Sequence, residues 1–403
     1  MREFAKLCFI TNPWRCRSFP LNKVVQPVTV QATQNHTHVR RRVADSCDTD
    51  PCIIIEEPPK SSSPLTTPAL QSPVVLQPVC LSLVPSTAIA SQPSPVRFVE
   101  VAASLSKARL SLLVVSTAVV GCGLAASTTL ASPVFLTHPA SGLFWLAVGT
   151  GLTSCAANTI NQIMEIPFDS QMVRTQNRAL VRGLATPGQA GLFAASCAAA
   201  GLFSLYSVLN PLVASLAALN LLIYTMFYTP LKQIDQSNTW IGALVGAVPP
   251  LMGWAAATGD IQSGSLILAG LLYVWQFPHF MALSWNLRHE YSKAGYMMTS
   301  VLDPGLCKRV ALRYALASGL VCLAGAGCSA VSLGPWAGCA LGLACLPPNM
   351  GLVYYAWKFA SAPANSGSSA AARKLFKATL FHLPVVMVAA LLGTYFCMSN
   401  VAL

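Results

Sequence analysis

Charge is scarce in this chain, and negative charge is scarcer still. Of its 403 residues 9% are charged and 54% are hydrophobic, with a mean hydropathy of +0.56, a balance that excludes a soluble globular domain. From residue 101 onward the only acidic residues are Glu165, Asp169, Asp235, Asp260, Glu290 and Asp303. The fourteen cysteines include no C-x-x-C and no zinc spacing, and those from Cys122 onward mostly lie in apolar segments, where a small packing role is the default. No Ser/His/Asp arrangement and no glycine-rich phosphate loop between a strand and a helix is found, which argues against side-chain nucleophilic catalysis and P-loop chemistry.

What is present divides the chain in three. Residues 1–42 carry Arg2, Lys6, Arg15, Arg17, Lys23, Arg40, Arg41 and Arg42 against the single acid Glu3, the basic, acid-poor pattern of a mitochondrial transit peptide; a disordered basic tail is the plain alternative. Residues 43–104, with clustered aspartates and the Ser/Pro-rich run PPKSSSPLTTP, read as a disordered linker. From 105 to 403 the chain reads as an all-α polytopic membrane domain. Nine apolar stretches are long enough to span a bilayer at roughly 20 residues each: about 110–130, 142–163, 188–207, 210–228, 239–258, 264–286, 310–332, 334–357 and 376–398. With the amino end inside, every Lys and Arg beyond residue 100 falls on the inner side, as the positive-inside rule requires. The loops after the second, fourth and sixth segments are then neighbours on one face. The second and sixth segments, each with its loop, also look like matching halves of a weak internal repeat.

The stretch NQIMEIPFDSQMVRT, residues 161–175, holds two of the rare acids. Asn161 and Glu165 are four apart and share a helix face. Pro167 is expected to kink or end the helix, letting Asp169 swing back from the loop to meet them. Such oxygen donors suit Mg²⁺, a hard cation that takes one or two carboxylates and completes its shell with water and substrate phosphate. Arg174, Arg178 and Arg182 follow within reach, and guanidinium groups fork onto phosphate oxygens. Together these features point to a lipid diphosphate; the bland alternative is a basic loop that only sets topology.

With these residues in view, CAANTINQIMEIPFDSQMVRTQNRALVRG resembles the signature of the protohaem IX farnesyltransferase family, within the UbiA-like intramembrane prenyltransferases. YTPLK at 228–232 resembles that superfamily's Y-x-x-x-K element, and GALVGAVPPLMGW at 242–254 and WQFPHFMALSWNLRHEYSKAGYMM at 275–298 look like the family's own helix motifs. The resemblance runs from about Ser104 to the carboxyl end. It implies a UbiA-like bundle of about nine helices in the mitochondrial inner membrane, amino end in the matrix. It also implies transfer of farnesyl from farnesyl diphosphate to the 2-vinyl group of haem b, giving haem O for haem A synthesis and cytochrome c oxidase assembly.

On that resemblance Asn161, Glu165 and Asp169 hold Mg²⁺ and are catalytic, while Arg174, Arg178, Tyr228 and Lys232 bind the diphosphate. The second acidic motif of quinone-prenylating relatives is represented only by Glu290, which the resemblance makes a further candidate metal ligand. His279 and His382 are candidates for contact with haem, though a helix-packing hydrogen bond explains each equally well. Tyr228 and Lys232 also have an interfacial reading. Membrane lipid, haem A synthase or a second copy of the chain are the partners considered; nucleic acid is not. Two alternatives remain: a polyprenyltransferase acting on a quinone precursor, and a non-enzymatic transporter or assembly factor, which predicts polar, broken helices near mid-membrane.

Overall fold

The computed structural model describes residues 95–401 except 129, 364 and 365, so the expected presequence and the linker up to residue 94 lie outside the described residues. Where that linker was expected to end, Pro95–Leu105 forms helix α1. The nine long apolar helices found among the described residues follow: α2 (Ala108–Ala126), α4 (Pro139–Asp169), α5 (Pro187–Ser204), α6 (Pro211–Leu222), α7 (Asn238–Thr258), α8 (Ser263–Asn286), α11 (Pro304–Leu333), α12 (Pro335–Ser361) and α13 (Ser366–Val401). Short helices α3 (Pro133–Thr137), α9 (Arg288–Lys293) and α10 (Thr299–Leu302) lie between them. Each apolar stretch expected from the sequence is matched by one of the nine, and there is no strand among the described residues.

The starts of these helices are written locally. A proline sits in the first turn of α4, α5, α6, α11 and α12, where its missing N–H costs nothing and its fixed φ suits the helix. Thr186 and Gln189 close a capping box on α5. Interior prolines do not end their helices: α4 continues through Pro167 to Asp169, and α7 and α8 continue through Pro249, Pro250 and Pro278. The sequence had suggested that Asp169 would return from a loop. It is instead the last residue of α4, because Pro167 lies so near the helix end that few backbone bonds depend on it.

Burial identifies the centre of the bundle. Within their most apolar windows α7 and α8 are 61% and 56% buried, whereas the other seven spans are 22–39% buried and present the rest of their surface outward. Those outward surfaces carry Leu112, Phe203, Val331 and Phe381, apolar side chains that suit a lipid surround. Helix α2 crosses α7 at glycines. A Cβ on Gly253 would lie 1.8 Å from the Ala118 carbonyl oxygen, and one on Gly121 would lie 2.4 Å from that of Pro250. Such an approach of two backbones is the small-residue packing expected inside a membrane.

The inner ends of α4, α6 and α8 are tied by their loops. Met172, Ala294 and Tyr296 form one buried cluster with Phe168, Tyr291 and Met298 against it, joining the loop after α4 to the loop after α8. The Met297 N–H donates to the Lys232 carbonyl at 2.8 Å, and Asn238 Nδ2 donates to the Met297 carbonyl at 2.9 Å, bringing in the loop after α6. The three loops expected to be neighbours are neighbours.

Candidate active site

Asn161, Glu165 and Asp169 lie along one face of α4 and are 0%, 3% and 2% exposed. Burying such groups is costly unless each is paired. Each is. Asn161 Oδ1 accepts from Lys107 Nζ at 2.6 Å, and its Nδ2 donates to Thr229 Oγ1 at 3.2 Å. Glu165 Oε1 accepts from Lys232 Nζ at 2.8 Å, with Arg178 3.7 Å from its other oxygen. Asp169 is paired with Arg178 through Oδ2. Thr175 Oγ1 donates to the Asp169 carbonyl at 2.9 Å and fixes the turn that carries Arg178 back over the carboxylates.

Helix α6 delivers the opposite wall. Beyond Leu222 its span continues as a π-helix, Ile223–Tyr228, before Thr229–Leu231 close it. Such wide turns are common at functional sites because they re-aim the side chains that follow. Here the π-turn sets Tyr224 and Tyr228 with ring centroids 5.2 Å apart, and Lys232 Nζ 4.4 Å from the Tyr228 ring centre. Gly242 of α7 makes room for Tyr228, since a Cβ there would meet its ring at 2.6 Å. Burial opposes the Lys232 ammonium, yet Tyr228 and Glu165 hold its pKa well above the usual lysine range, so it stays charged. Burial raises the Tyr291 and Tyr296 phenols, which remain neutral donors.

These groups line a cavity of about 310 Å³ that includes Lys107, Glu165, Asp169, Arg174, Arg178, Tyr228, Lys232 and His279. A second cavity of about 180 Å³ adjoins it, sharing Leu110, Tyr224, Tyr228, Gly242 and Phe280, and continues past Val114, Val245 and Met252. The walls thus pass from charged to mainly apolar with depth.

Of the residues singled out in the sequence, Asn161, Glu165, Asp169, Arg178, Tyr228 and Lys232 come together. Arg174 lines the same cavity, but its backbone is what Glu290 meets, with Oε2 accepting from the Arg174 N–H at 3.4 Å. Glu290 itself lies on α9 and is not among the residues that line the cavity, although its neighbour Tyr291 is. His279 lines the cavity and is bonded through Nδ1 to Thr379 Oγ1 at 2.9 Å. Since Thr379 spends its own proton on the Phe376 carbonyl at 2.6 Å, His279 Nδ1 is the donor and Nε2 keeps a lone pair. His382 is elsewhere. Its Nε2 meets Asn349 Oδ1 of α12 at 3.1 Å, which is the helix-packing role, and it does not line the cavity. Sequence reasoning passed over Lys107, read only as a topology charge, and Tyr224, whose hydroxyl donates to Asn158 Oδ1 at 3.3 Å. The four-residue step from Tyr224 to Tyr228 was the available signal.

Among the described residues no three His, Cys, Asp or Glu side chains converge on one point. A divalent ion here would meet two carboxylates and an amide, all hard oxygen donors. That fits magnesium completed by substrate phosphate and water better than a cage-bound metal.

Replacing Lys232 with Met strands the Glu165 carboxylate and is expected to destabilise the fold by about 3–5 kcal/mol. Lys232→Met combined with Glu165→Gln should recover most of that loss. Thermal midpoints in one detergent would compare the three proteins, and a double variant no better than the single would dissolve the pair.

Residues 114–383 match the UbiA prenyltransferase family. Over 285 residues the chain is 47% identical to protoheme IX farnesyltransferase, mitochondrial, from Homo sapiens, a match covering 71% of this chain and 60% of that one. The protein of the same name from Neurospora crassa is 43% identical over 316 residues, covering 72% and 59%. The match thus spans about 60% of the length of these curated relatives. Among solved structures, a digeranylgeranylglyceryl phosphate synthase superposes with a TM-score of 0.59 at 14% identity, over 74% of this chain and 99% of that one. A UbiA homolog from Aeropyrum pernix K1 gives 0.52 at 16% identity, over 70% and 98%.

Proposed function

Because the chain belongs to the UbiA prenyltransferase family, we propose that it transfers the farnesyl group of farnesyl diphosphate to the 2-vinyl group of haem b. The product is haem O, destined for haem A and cytochrome c oxidase. The observation that carries this reading is a mouth of two buried carboxylates among Arg178, Lys232 and Lys107, opening on a cavity whose walls turn apolar inward. A diphosphate fits the first part and a prenyl chain the second. The name borne by relatives at 43–47% identity supports haem as acceptor. The gathering of charge at one surface disfavours the transporter reading, which requires polar groups at mid-membrane.

The chemistry needs no protein nucleophile. Arg174, Arg178 and Lys232 bind the diphosphate and stabilise the charge that grows on it as the allylic C–O bond breaks. Glu165 and Asp169, with Asn161 beside them, would hold magnesium, which would supply Lewis-acid neutralisation of the same leaving group. Tyr228, and Tyr224 behind it, offer ring faces to the allylic cation. The vinyl group forms the new C–C bond, and water adds to the resulting cation with loss of a proton, leaving a hydroxyethylfarnesyl substituent. His279, with its free Nε2 lone pair on the cavity wall, is the side chain placed to meet the porphyrin. The setting proposed is the mitochondrial inner membrane with the site facing the matrix, where haem A synthase or a second copy of the chain are candidate neighbours.

The test is transfer by the full chain purified into lipid, given haem b and farnesyl diphosphate with magnesium or with a chelator. Haem O is expected only with magnesium, with at least a hundredfold loss on chelation. Farnesylation of a quinone precursor in its place would replace this reading with the sister activity.

A further inference from the structure

Lys107 is the one non-glycine residue among the described residues whose backbone lies in the left-handed region, at φ 47° and ψ 54°. It occupies the break between α1 and α2. That conformation disfavours a lysine, whereas Asn and Gly accept it. Helix α4 enforces it. Gln162 Nε2 donates to the carbonyls of Leu105 and Ser104 at 2.6 and 3.2 Å, and Asn158 Nδ2 donates to that of Ser106 at 3.3 Å. From α2, Ser111 Oγ donates to the same Ser106 carbonyl at 2.8 Å. Gln162, Asn158 and Ser111 are all buried. A strained residue held so firmly points to a task for its side chain.

That side chain reaches the cavity wall, where Nζ meets Asn161 Oδ1. The same cavity wall already carries the Arg178 guanidinium and the Lys232 ammonium. A neutral amide oxygen compensates poorly for a third cation in such company. An anion with several oxygens is the natural partner.

We propose that Lys107 is a catalytic residue that binds the prenyl diphosphate directly, its Nζ leaving Asn161 Oδ1 for a diphosphate oxygen. The proposal rests on the reading of this cavity as a prenyl diphosphate site. Three cations are then delivered from three separate segments: Lys107 before α2, Arg178 after α4 and Lys232 after α6. The exchange also frees the carbonyl oxygen of Asn161 at the moment the substrate is present.

The test is calorimetric titration of inorganic diphosphate, with magnesium, into the full chain in lipid. Lys107→Asn and Lys107→Gly keep the backbone and remove the charge, while Lys107→Arg keeps the charge. Both charge-free variants should bind diphosphate at least tenfold more weakly, with a raised KM for farnesyl diphosphate, while haem b affinity and thermal midpoint stay native. Lys107→Arg should retain most of the binding. Native-like diphosphate affinity in either folded charge-free variant overturns the role of Lys107 alone, because native binding still stands. If the native chain itself binds no diphosphate, the reading of the cavity falls as well.

Discussion

Asp169→Ala is expected to reduce farnesyl transfer by at least about a thousandfold. Loss of a single group that stabilises developing charge typically costs 10²–10³-fold, and on the function proposed above Asp169 would serve twice, as an oxygen donor for magnesium and as the partner that holds Arg178 over the cavity. Asp169→Asn should be nearly as poor, because an amide keeps the shape but neither the charge nor the affinity for a hard cation. Asp303 provides the contrast. It is half exposed and its only described ion-pair contact is with Arg309 at 3.8 Å, so Asp303→Ala should lie within about twofold of native, as for other weak surface pairs. Product formation at saturating haem b and farnesyl diphosphate measures all three. Activity of Asp169→Ala within tenfold of native would remove this residue from the chemistry.

Gly253→Val carries the largest expected effect on the fold. Overpacking a core usually costs about 1–3 kcal/mol because neighbouring side chains yield. At Gly253 the obstacle is the Ala118 carbonyl of the facing helix, 1.8 Å from any Cβ, and backbone cannot yield without separating α2 from α7. Gly121 on α2 makes the reciprocal approach to Pro250, so both helices would have to move. We expect little or no folded Gly253→Val to be recovered. Gly327→Ala, with nothing within 4 Å of its added Cβ, should be recovered at native yield or better, given the poor helix propensity of glycine. Monodisperse yield from gel filtration in detergent separates the outcomes, and a native yield of Gly253→Val would contradict the tight crossing.

The nine spans were legible because bilayer thickness imposes one length on every apolar run and leaves the polar loops nowhere else to go. Asn161 and Glu165 were legible for a similar reason, since one helix has one face and spacing assigns residues to it, whereas Asp169 was expected on a loop beyond Pro167 and instead ends the same helix. Lys107 was not legible. Its role depends on a break before α2 and on Gln162 and Asn158 gripping that break, contacts made 52 to 58 residues apart that no local pattern announces. His382 shows the opposite case. A histidine within an apolar helix suggests a site, and only the structure sets it against Asn349, apart from the cavity of Glu165 and Lys232. The π-turn ahead of Tyr228 was equally hidden, because Ile223–Tyr228 reads as an ordinary apolar helix until its hydrogen bonds are seen.

The pairing of Asn161, Glu165 and Asp169 with Lys107, Lys232 and Arg178 has a thermodynamic corollary. On the function proposed above, the atoms that would hold a divalent ion are engaged, until substrate arrives, by cations belonging to the protein itself. A diphosphate draws those cations toward its own oxygens and leaves the carboxylates in want of positive charge. Metal and diphosphate therefore favour one another's entry, and by reciprocity each raises the other's affinity by the same factor. On that reading the resting cavity would be a poor trap for free magnesium, and the complex of ion and diphosphate would be the species for which it is balanced.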